Sequence, residues 1–153
     1  MDQEPRRILL TPKLVDSLYV EAMVLADEAR SYFDIQAEED RALLDPAVRV
    51  HFACESLRVT TRLMHIISWL LTQRAVSAGE ISASDARHPD RRLGEAPESD
   101  ALLARSFPEA ARTLIQASQE LYDRVRRLDR LGGEPVAAFS PARTLMSRLE
   151  RSF

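Results

Sequence analysis

Hydrophobic residues in the first part of the chain recur every three or four positions, the spacing of one face of an α-helix. This stripe consists of Leu14, Leu18, Ala22, Leu25, Ala29 and Tyr32. Thr11 precedes the stripe as an N-cap, and Pro12 takes the first helical position, where a missing N–H is tolerated. These signals predict a helix over about residues 12–34. The acidic, poorly patterned residues 35–44 predict a connector with room for a single helical turn.

A second helix is predicted from Pro46 to about Ala78, because Asp45 and Pro46 repeat the start signal and Gly79 is typical of a helix end. It carries two apolar stripes. The first, interrupted by Glu55, consists of Val48, Phe52, Val59, Leu63, Ile66 and Leu70. The second consists of Ala53, Leu57, Thr60, Met64, Ile67 and Leu71.

The last turns of this second helix are apolar on nearly all sides. Two neighbouring helices cannot easily cover the whole circumference of such a helix, so burial by a further element is expected. We therefore predict a homodimer whose interface contains Ile66, Trp69 and Leu70.

Residues 79–106 lack helical periodicity and contain two exposed Pro-containing stretches, which predicts a long loop with a short helical turn at residues 81–86. Ser106 and Glu109 match the S-x-x-E capping box, so the third helix is predicted to begin there. Its narrow, coiled-coil-like seam consists of Leu114, Ser118, Leu121, Val125 and Leu128.

Three such helices predict an all-α protein: an antiparallel three-helix bundle over residues 11–131, after an N-terminal extension of residues 1–10. Residues 132–153 are predicted to form a flexible C-terminal tail with a short amphipathic helix. The partner-binding residues proposed in this tail are Leu145, Met146, Leu149 and Phe153. Aromatic and Met anchors among arginines suit recognition of a partner. The alternatives are a flexible end with a chance amphipathic pattern and a helix docked on its own bundle.

Composition narrows the class of function. The net charge of −3 gives no general attraction to nucleic acid or to an anionic membrane. The longest apolar run, around residues 63–71, is shorter than the ~18 residues that a membrane span needs. The first residues do not form a signal peptide, and a single cysteine excludes an intrachain disulfide. We expect a cytoplasmic protein without a membrane span.

One group of residues has the spacing of metal ligands on a helix: His51, Cys54 and Glu55. Zinc would need further ligands from a second Cys/His cluster, which the sequence lacks, so a buried Cys54 is the favoured interpretation. The sequence also lacks a nucleophile elbow and a phosphate-binding loop. We therefore expect no catalysis, no cofactor and no metal.

Arginines cluster near the end of the third helix. The cluster consists of Arg124, Arg126, Arg127 and Arg130. One interpretation is a contact with nucleic acid. We favour the other, in which these cations complement the helix C-terminus and pair with nearby carboxylates, and we expect no nucleic-acid partner. The carboxylates are Glu120, Asp123 and Asp129.

The second helix and its surroundings resemble the RcdA family, the bacterial regulators of CtrA degradation. The resemblance lies in the run from His51 to Met64, in Ser68-Trp69-Leu70-Leu71, Gln73-Arg74-Ala75 and Gly79-Glu80-Ile81, and in Tyr32-Phe33-Asp34 and Leu44-Asp45-Pro46. It covers about residues 11–131.

This resemblance implies a dimeric three-helix bundle with a flexible tail that acts as a non-catalytic adaptor in ClpXP proteolysis. It implies three partners: a response-regulator-like protease adaptor, the ClpX unfoldase, and a transcription-factor cargo such as CtrA. It assigns no binding residues. Two other functions are compatible with the residues: a helical DNA-associated regulator that uses the arginine cluster, and a dimeric bundle that binds a ligand near His51 and Cys54.

Overall fold

The computed structural model of the chain describes residues 10–133 and 148–152. Within these residues the chain is helical and contains no strand, which confirms the predicted all-α class. Its main helices are α1 (Pro12–Ser31), α2 (Ala37–Ala42), α3 (Pro46–Ser77), α4 (Ala83–Ala86), α5 (Ala101–Ala104) and α6 (Glu109–Gly133). The three long helices, α1, α3 and α6, each pack against the other two.

The first helix begins as predicted but does not end in a connector at residue 35. Its N-cap is Thr11, whose Oγ1 accepts a hydrogen bond from the Leu14 N–H at 3.1 Å. After α1 the chain continues through a π-helical turn at Tyr32–Gln36 into α2. The Tyr32 hydroxyl donates to Asp40 Oδ2 at 2.6 Å, and this contact helps to hold the turn against α2. Only residues 43–45 separate α2 from α3.

The hydrophobic core lies between the three long helices and contains the predicted stripe of α1 and the first stripe of α3. Three aromatic rings at one end of the bundle form a chain of edge-to-face contacts. The Phe33 and Phe52 ring centroids lie 5.6 Å apart, and those of Phe52 and Phe107 lie 5.5 Å apart. All three rings are buried. They join the end of α1 to the start of α3 and to the approach to α6.

The prediction that all three helices alternate in direction is wrong. Residues of α3 meet Phe107, just before α6, and residues of α6 itself in the same order along both segments. The pairs are Phe52 with Phe107, Arg62 with Ser118, and Trp69 with Asp129. These two helices are therefore parallel, and α1 is antiparallel to both. Asp16 near the start of α1 contacts Arg74 near the end of α3, and Ser31 at the end of α1 lines the same pocket as Glu109 at the start of α6. The segment between α3 and α6, residues 78–108, is long enough to return along the bundle, and we call it the crossover.

The third long helix presents its predicted seam to the core: its five residues, Leu114, Ser118, Leu121, Val125 and Leu128, are all buried. The helix begins at Glu109, three residues beyond the predicted cap. The Ser106 N–H instead donates to the Leu103 carbonyl oxygen at 3.2 Å, so Ser106 belongs to the turn that follows α5. The predicted capping box is therefore wrong.

The crossover contains the short helical turn that the sequence predicted, in the form of α4. Gly79 ends α3 with a φ of +76°, a left-handed conformation that suits glycine. None of the helices in the described part of the chain is long and apolar enough to cross a membrane.

Candidate protein-interaction surfaces

The three residues predicted at a dimer interface lie in the core of this chain. Ile66, Trp69 and Leu70 are buried by the chain's own helices, and the Trp69 indole N–H donates to Asp129 Oδ1 at 2.9 Å. A second copy cannot contact these side chains without opening the core. An interface between copies must therefore use other residues.

The second stripe of α3 faces away from the core except at Ile67, which is half-buried and packs against it, and we call this stripe the α3 apolar face. It consists of Ala53, Leu57, Thr60, Met64, Ile67 and Leu71. Leu57 and Met64 are 67% and 64% exposed, and Leu71 is also exposed. The residues are three and four apart in alternation over almost three heptads, which is the spacing of a coiled-coil seam. This chain therefore presents an uncharged helical face about 27 Å long to solvent.

The crossover is held against α3 and α6 by polar contacts, although its sequence predicts an exposed loop. Arg92 Nε donates to Asp129 Oδ1 at 2.8 Å, and the Tyr122 hydroxyl donates to the Gly94 carbonyl at 2.8 Å. Burial raises the pKa of the Tyr122 hydroxyl above its usual value. These bonds fix the path of the crossover along the bundle.

A close approach of the backbone reinforces this path at Gly94. A Cβ at this position would lie 2.7 Å from the His65 imidazole Nδ1, too close for any larger residue without a shift of the ring or the backbone. Glycine therefore allows the crossover to lie directly on α3.

Two charged residues of α3, Glu55 and Arg62, are buried. In the sequence, Glu55 is visible only as an interruption of the first apolar stripe. Glu55 accepts from Arg58 Nη1 at 2.9 Å, and Arg62 donates from Nε to Ser118 Oγ at 3.1 Å. A second Arg62 nitrogen lies 3.3 Å from the Pro97 carbonyl oxygen. Burial lowers the pKa of the Arg62 guanidinium. The Arg62 contacts tie the crossover and α6 to α3.

The candidate metal ligands do not form a site in the structure. His51 and Cys54 are exposed on α3, whereas Glu55 is buried and bound to Arg58. The prediction that Cys54 is buried is therefore wrong. Within residues 10–133 and 148–152, no three His, Cys, Asp or Glu side chains are grouped so that they could hold a metal ion.

A groove of about 670 Å³ runs between α1 and α6, and we call it the α1–α6 groove. Its lining consists of Glu21, Val24, Leu25, Glu28, Ala117, Glu120, Asp123, Arg124 and Arg127. Apolar side chains form part of the lining, and four carboxylates and two guanidinium groups complete it. Because its lining is both apolar and charged, the groove suits the docking of a charged amphipathic segment.

The arginine cluster on α6 pairs partly as predicted. Arg126 lies 3.2 Å from Asp123, as we expected for the cluster and its acidic neighbours. Arg124 instead forms its ion pair with Glu21 of α1. Asp129 pairs with Arg92 of the crossover, a contact that local spacing cannot reveal.

Comparison with known proteins identifies the family of the chain. A family model described as a protein of unknown function, DUF1465, matches residues 7–153. The crystal structure of RcdA from Caulobacter crescentus CB15 is 34% identical to the chain, with a TM-score of 0.66. The match covers 80% of this chain and 93% of that chain. The chain belongs to the RcdA family.

The family resemblance read from the second helix is thus confirmed. No curated protein is significantly similar to the chain. The match extends over nearly the whole of the RcdA chain in that crystal structure.

Most of the predicted tail residues of this RcdA family member lie outside the described residues, namely Leu145, Met146 and Phe153. Leu149 belongs to residues 148–152, which are helical, and its side chain is about half exposed. The role of these four residues in partner binding remains a prediction.

Proposed function

We propose that the chain is a non-catalytic adaptor in regulated proteolysis, linking a primed ClpXP protease to cargo such as a cell-cycle transcription factor. The observation that carries this proposal is the similarity to RcdA over most of both chains. Its proposed partners are a response-regulator-like protease adaptor, the ClpX unfoldase and the cargo. Its proposed location is the cytoplasm.

The surfaces of the molecule support a function in protein binding. The α3 apolar face, which we propose below as the contact between copies, and the α1–α6 groove are separate regions of the bundle, so a dimer would keep two grooves for other proteins. An adaptor needs this property because it raises the local concentration of cargo at the protease without any new chemistry. A DNA-associated regulator is less well supported, because Arg124 and Arg126 are engaged by carboxylates.

Reconstituted proteolysis tests the proposal. We expect the chain to accelerate degradation of a transcription-factor cargo by about tenfold or more at cargo concentrations well below saturation, because tethering raises the effective concentration. The measurement is the rate of cargo loss with ClpXP and the response-regulator-like adaptor present. A reaction without that adaptor is the control and should show little acceleration. An unchanged rate with every component present would contradict the proposed function.

The proposal includes a homodimer formed by the α3 apolar face of each copy. Two identical seams related by a two-fold axis would place apolar residues of one copy against those of the other. Leu57 and Met64 lie near the middle of the face and are the most exposed of its large residues. They are therefore the expected centre of the interface.

Charge placed in the middle of this face tests the dimer. We expect Leu57→Glu with Met64→Glu to weaken dimerisation by at least about 100-fold, because two apolar contacts are lost and two carboxylates would be buried. Sedimentation equilibrium measures the dimer dissociation constant, and circular dichroism checks that the helices persist. Val20→Glu is the matched control, an equally exposed apolar residue on α1. A dissociation constant equal to that of the control would exclude this interface.

A further inference from the structure

We propose that residues 87–106 of the crossover, which we call the strap, open as one unit while α1, α3 and α6 stay packed together. The strap would act as a lid over one side of α3 and α6. The proposal goes beyond the adaptor function and does not depend on it. It rests on the shallow burial of the strap, on its polar attachment to the long helices, and on unpaired polar atoms beneath it.

The strap lies between two buried anchors but is not itself buried. Ala86 in α4 and Phe107, just before α6, are both buried. No residue from 87 to 106 is buried, and the apolar residues that pack against the core are only half-buried: Leu93, Ala96 and Ala104. Opening of the strap would therefore expose little additional apolar surface, which is the condition for local unfolding at a low free energy.

Polar contacts from three residues hold the strap closed. The Arg92 guanidinium binds a carboxylate of α6, and the Gly94 carbonyl oxygen accepts from the Tyr122 hydroxyl. The Pro97 carbonyl oxygen accepts from Arg62 Nη1 over a longer distance of 3.3 Å. Water can replace each of these partners when the strap opens, so each bond contributes only its small net value to the closed state.

Buried polar atoms without a hydrogen-bond partner are concentrated beneath the strap. All but one of these side-chain atoms in the described part of the chain lie at its contact with the long helices: Arg62 Nη2, His65 Nδ1, Ser99 Oγ and Gln119 Oε1. Arg62 and His65 each contact the backbone of the strap. Gln119 lines a cleft together with Ser99. An unpaired buried polar atom costs free energy in the closed state, and water would satisfy it in the open state, so opening becomes easier.

Two clefts show that the strap is loosely packed near both of its ends. One, of about 460 Å³, lies between the start of the strap and Ser68 and Thr72 of α3. The other, of about 500 Å³, lies between the end of the strap, at Ser99 and Ala104, and α6. Side chains that face a cleft lack close partners for dispersion, so the strap gains less from packing than a core element does.

Opening of the strap would uncover a side of α3 and α6 that is closed in the structure. Arg62 and Tyr122 are buried on this side, and both donate hydrogen bonds to the strap. A partner can reach these side chains only in the open form. The opening equilibrium would therefore set how often this side of the bundle is accessible.

Hydrogen exchange of the full chain tests the opening. Several backbone N–H groups are hydrogen-bonded within the strap, namely those of Arg91, Arg92, Ala104, Arg105 and Ser106. We expect these amides to exchange with protection factors at least about 100-fold lower than those of Val59 and Ile66 in the buried part of α3, because local opening costs less than global unfolding. Protection factors equal to those of α3 would overturn the proposal.

A disulfide between the strap and α3 tests whether the two ends of the strap open together. In a chain with Cys54→Ser, the pair His65→Cys and Gly94→Cys places two thiols where the strap backbone lies directly on α3. We expect oxidation to slow exchange at both residues 91–92 and residues 104–106 by at least about tenfold, because one crosslink would hold the whole unit closed. The reduced form of the same variant is the matched control. Unchanged exchange at either end would overturn the proposal, since that end would then open by itself.

Removal of an unpaired hydroxyl provides a second readout. Ser99→Ala breaks no side-chain hydrogen bond of the described structure, and its closed state no longer buries an unpaired hydroxyl oxygen. We therefore expect exchange of the strap amides to become slower by at least about threefold. Ser84→Ala, which changes an exposed serine outside the strap, is the matched control and should leave exchange unchanged.

Equal or faster exchange in Ser99→Ala would contradict the proposed effect of the unpaired atoms. None of these measurements requires the protease, so their outcome is separable from the test of the adaptor function.

Discussion

Replacement of Phe52 with alanine is expected to destabilise the fold by about 3–5 kcal/mol. Phe52 is 1% exposed, and its ring packs edge-to-face against Phe33 and Phe107. The truncation would leave a cavity between three elements that cannot all close on it, and two aromatic contacts would be lost as well. Equilibrium unfolding in urea, followed by circular dichroism, measures the change in the free energy of unfolding.

Leu43→Ala is the matched control for this prediction. Leu43 is a large apolar residue with an exposure of 86%, and it lies in the short connection between α2 and α3. Its truncation removes little buried surface, so the free energy of unfolding should change by less than about 0.5 kcal/mol. Similar losses for the two variants would mean that the aromatic cluster is not the tightly packed contact that the structure shows.

Local patterns were sufficient to predict the long helices. The stripe that includes Leu18 and Leu25 and the seam that includes Leu121 and Val125 are buried as expected, because helical periodicity is a property of neighbouring residues. The Thr11 cap was predictable for the same reason, since its hydrogen bond spans only three residues.

The direction of α6 depends on contacts that no local pattern contains. A connection as long as the crossover allows α6 to run either parallel or antiparallel to α3. Contacts such as that of Trp69 with Asp129, which are 60 residues apart, determine which of the two forms. The burial of Arg62 has the same origin, because its hydrogen-bond partner Ser118 lies 56 residues away. An arginine within an apolar stripe gives no indication of such a partner.

The sequence also could not predict which of the two stripes of α3 the chain buries in its own core. Both stripes have helical spacing and similar composition, so periodicity alone cannot tell which one the chain covers itself. The positions of α1 and α6 decide that Ile66 and Leu70 are buried and that Leu57 and Met64 are exposed. The second stripe was recognised from the sequence, but its availability to a partner follows only from the fold.

Replacement of Asp129 with alanine is expected to destabilise the fold by about 2–4 kcal/mol. One carboxylate joins three parts of the molecule, because Asp129 on α6 accepts from the Trp69 indole of α3 and from Arg92 of the crossover. Without it the buried indole N–H has no acceptor, and this unsatisfied donor accounts for much of the cost. The Arg92 side chain is partly exposed and can form hydrogen bonds with water instead, so the loss of its carboxylate partner contributes less to the destabilisation.

Hydrogen exchange shows whether this contact holds the crossover. In Asp129→Ala the backbone amides of residues 92–96 should exchange faster than they do in the unsubstituted protein. Exchange in α1, which does not contact the carboxylate, should change less. Asp27→Ala is the control, since Asp27 also pairs with an arginine, Arg30, but both side chains are mostly exposed and the pair contributes little. If Asp129→Ala changed neither stability nor exchange more than Asp27→Ala, the crossover would be held by its other contacts. The bond from Tyr122 to Gly94 would then be the next to remove, with Tyr122→Phe.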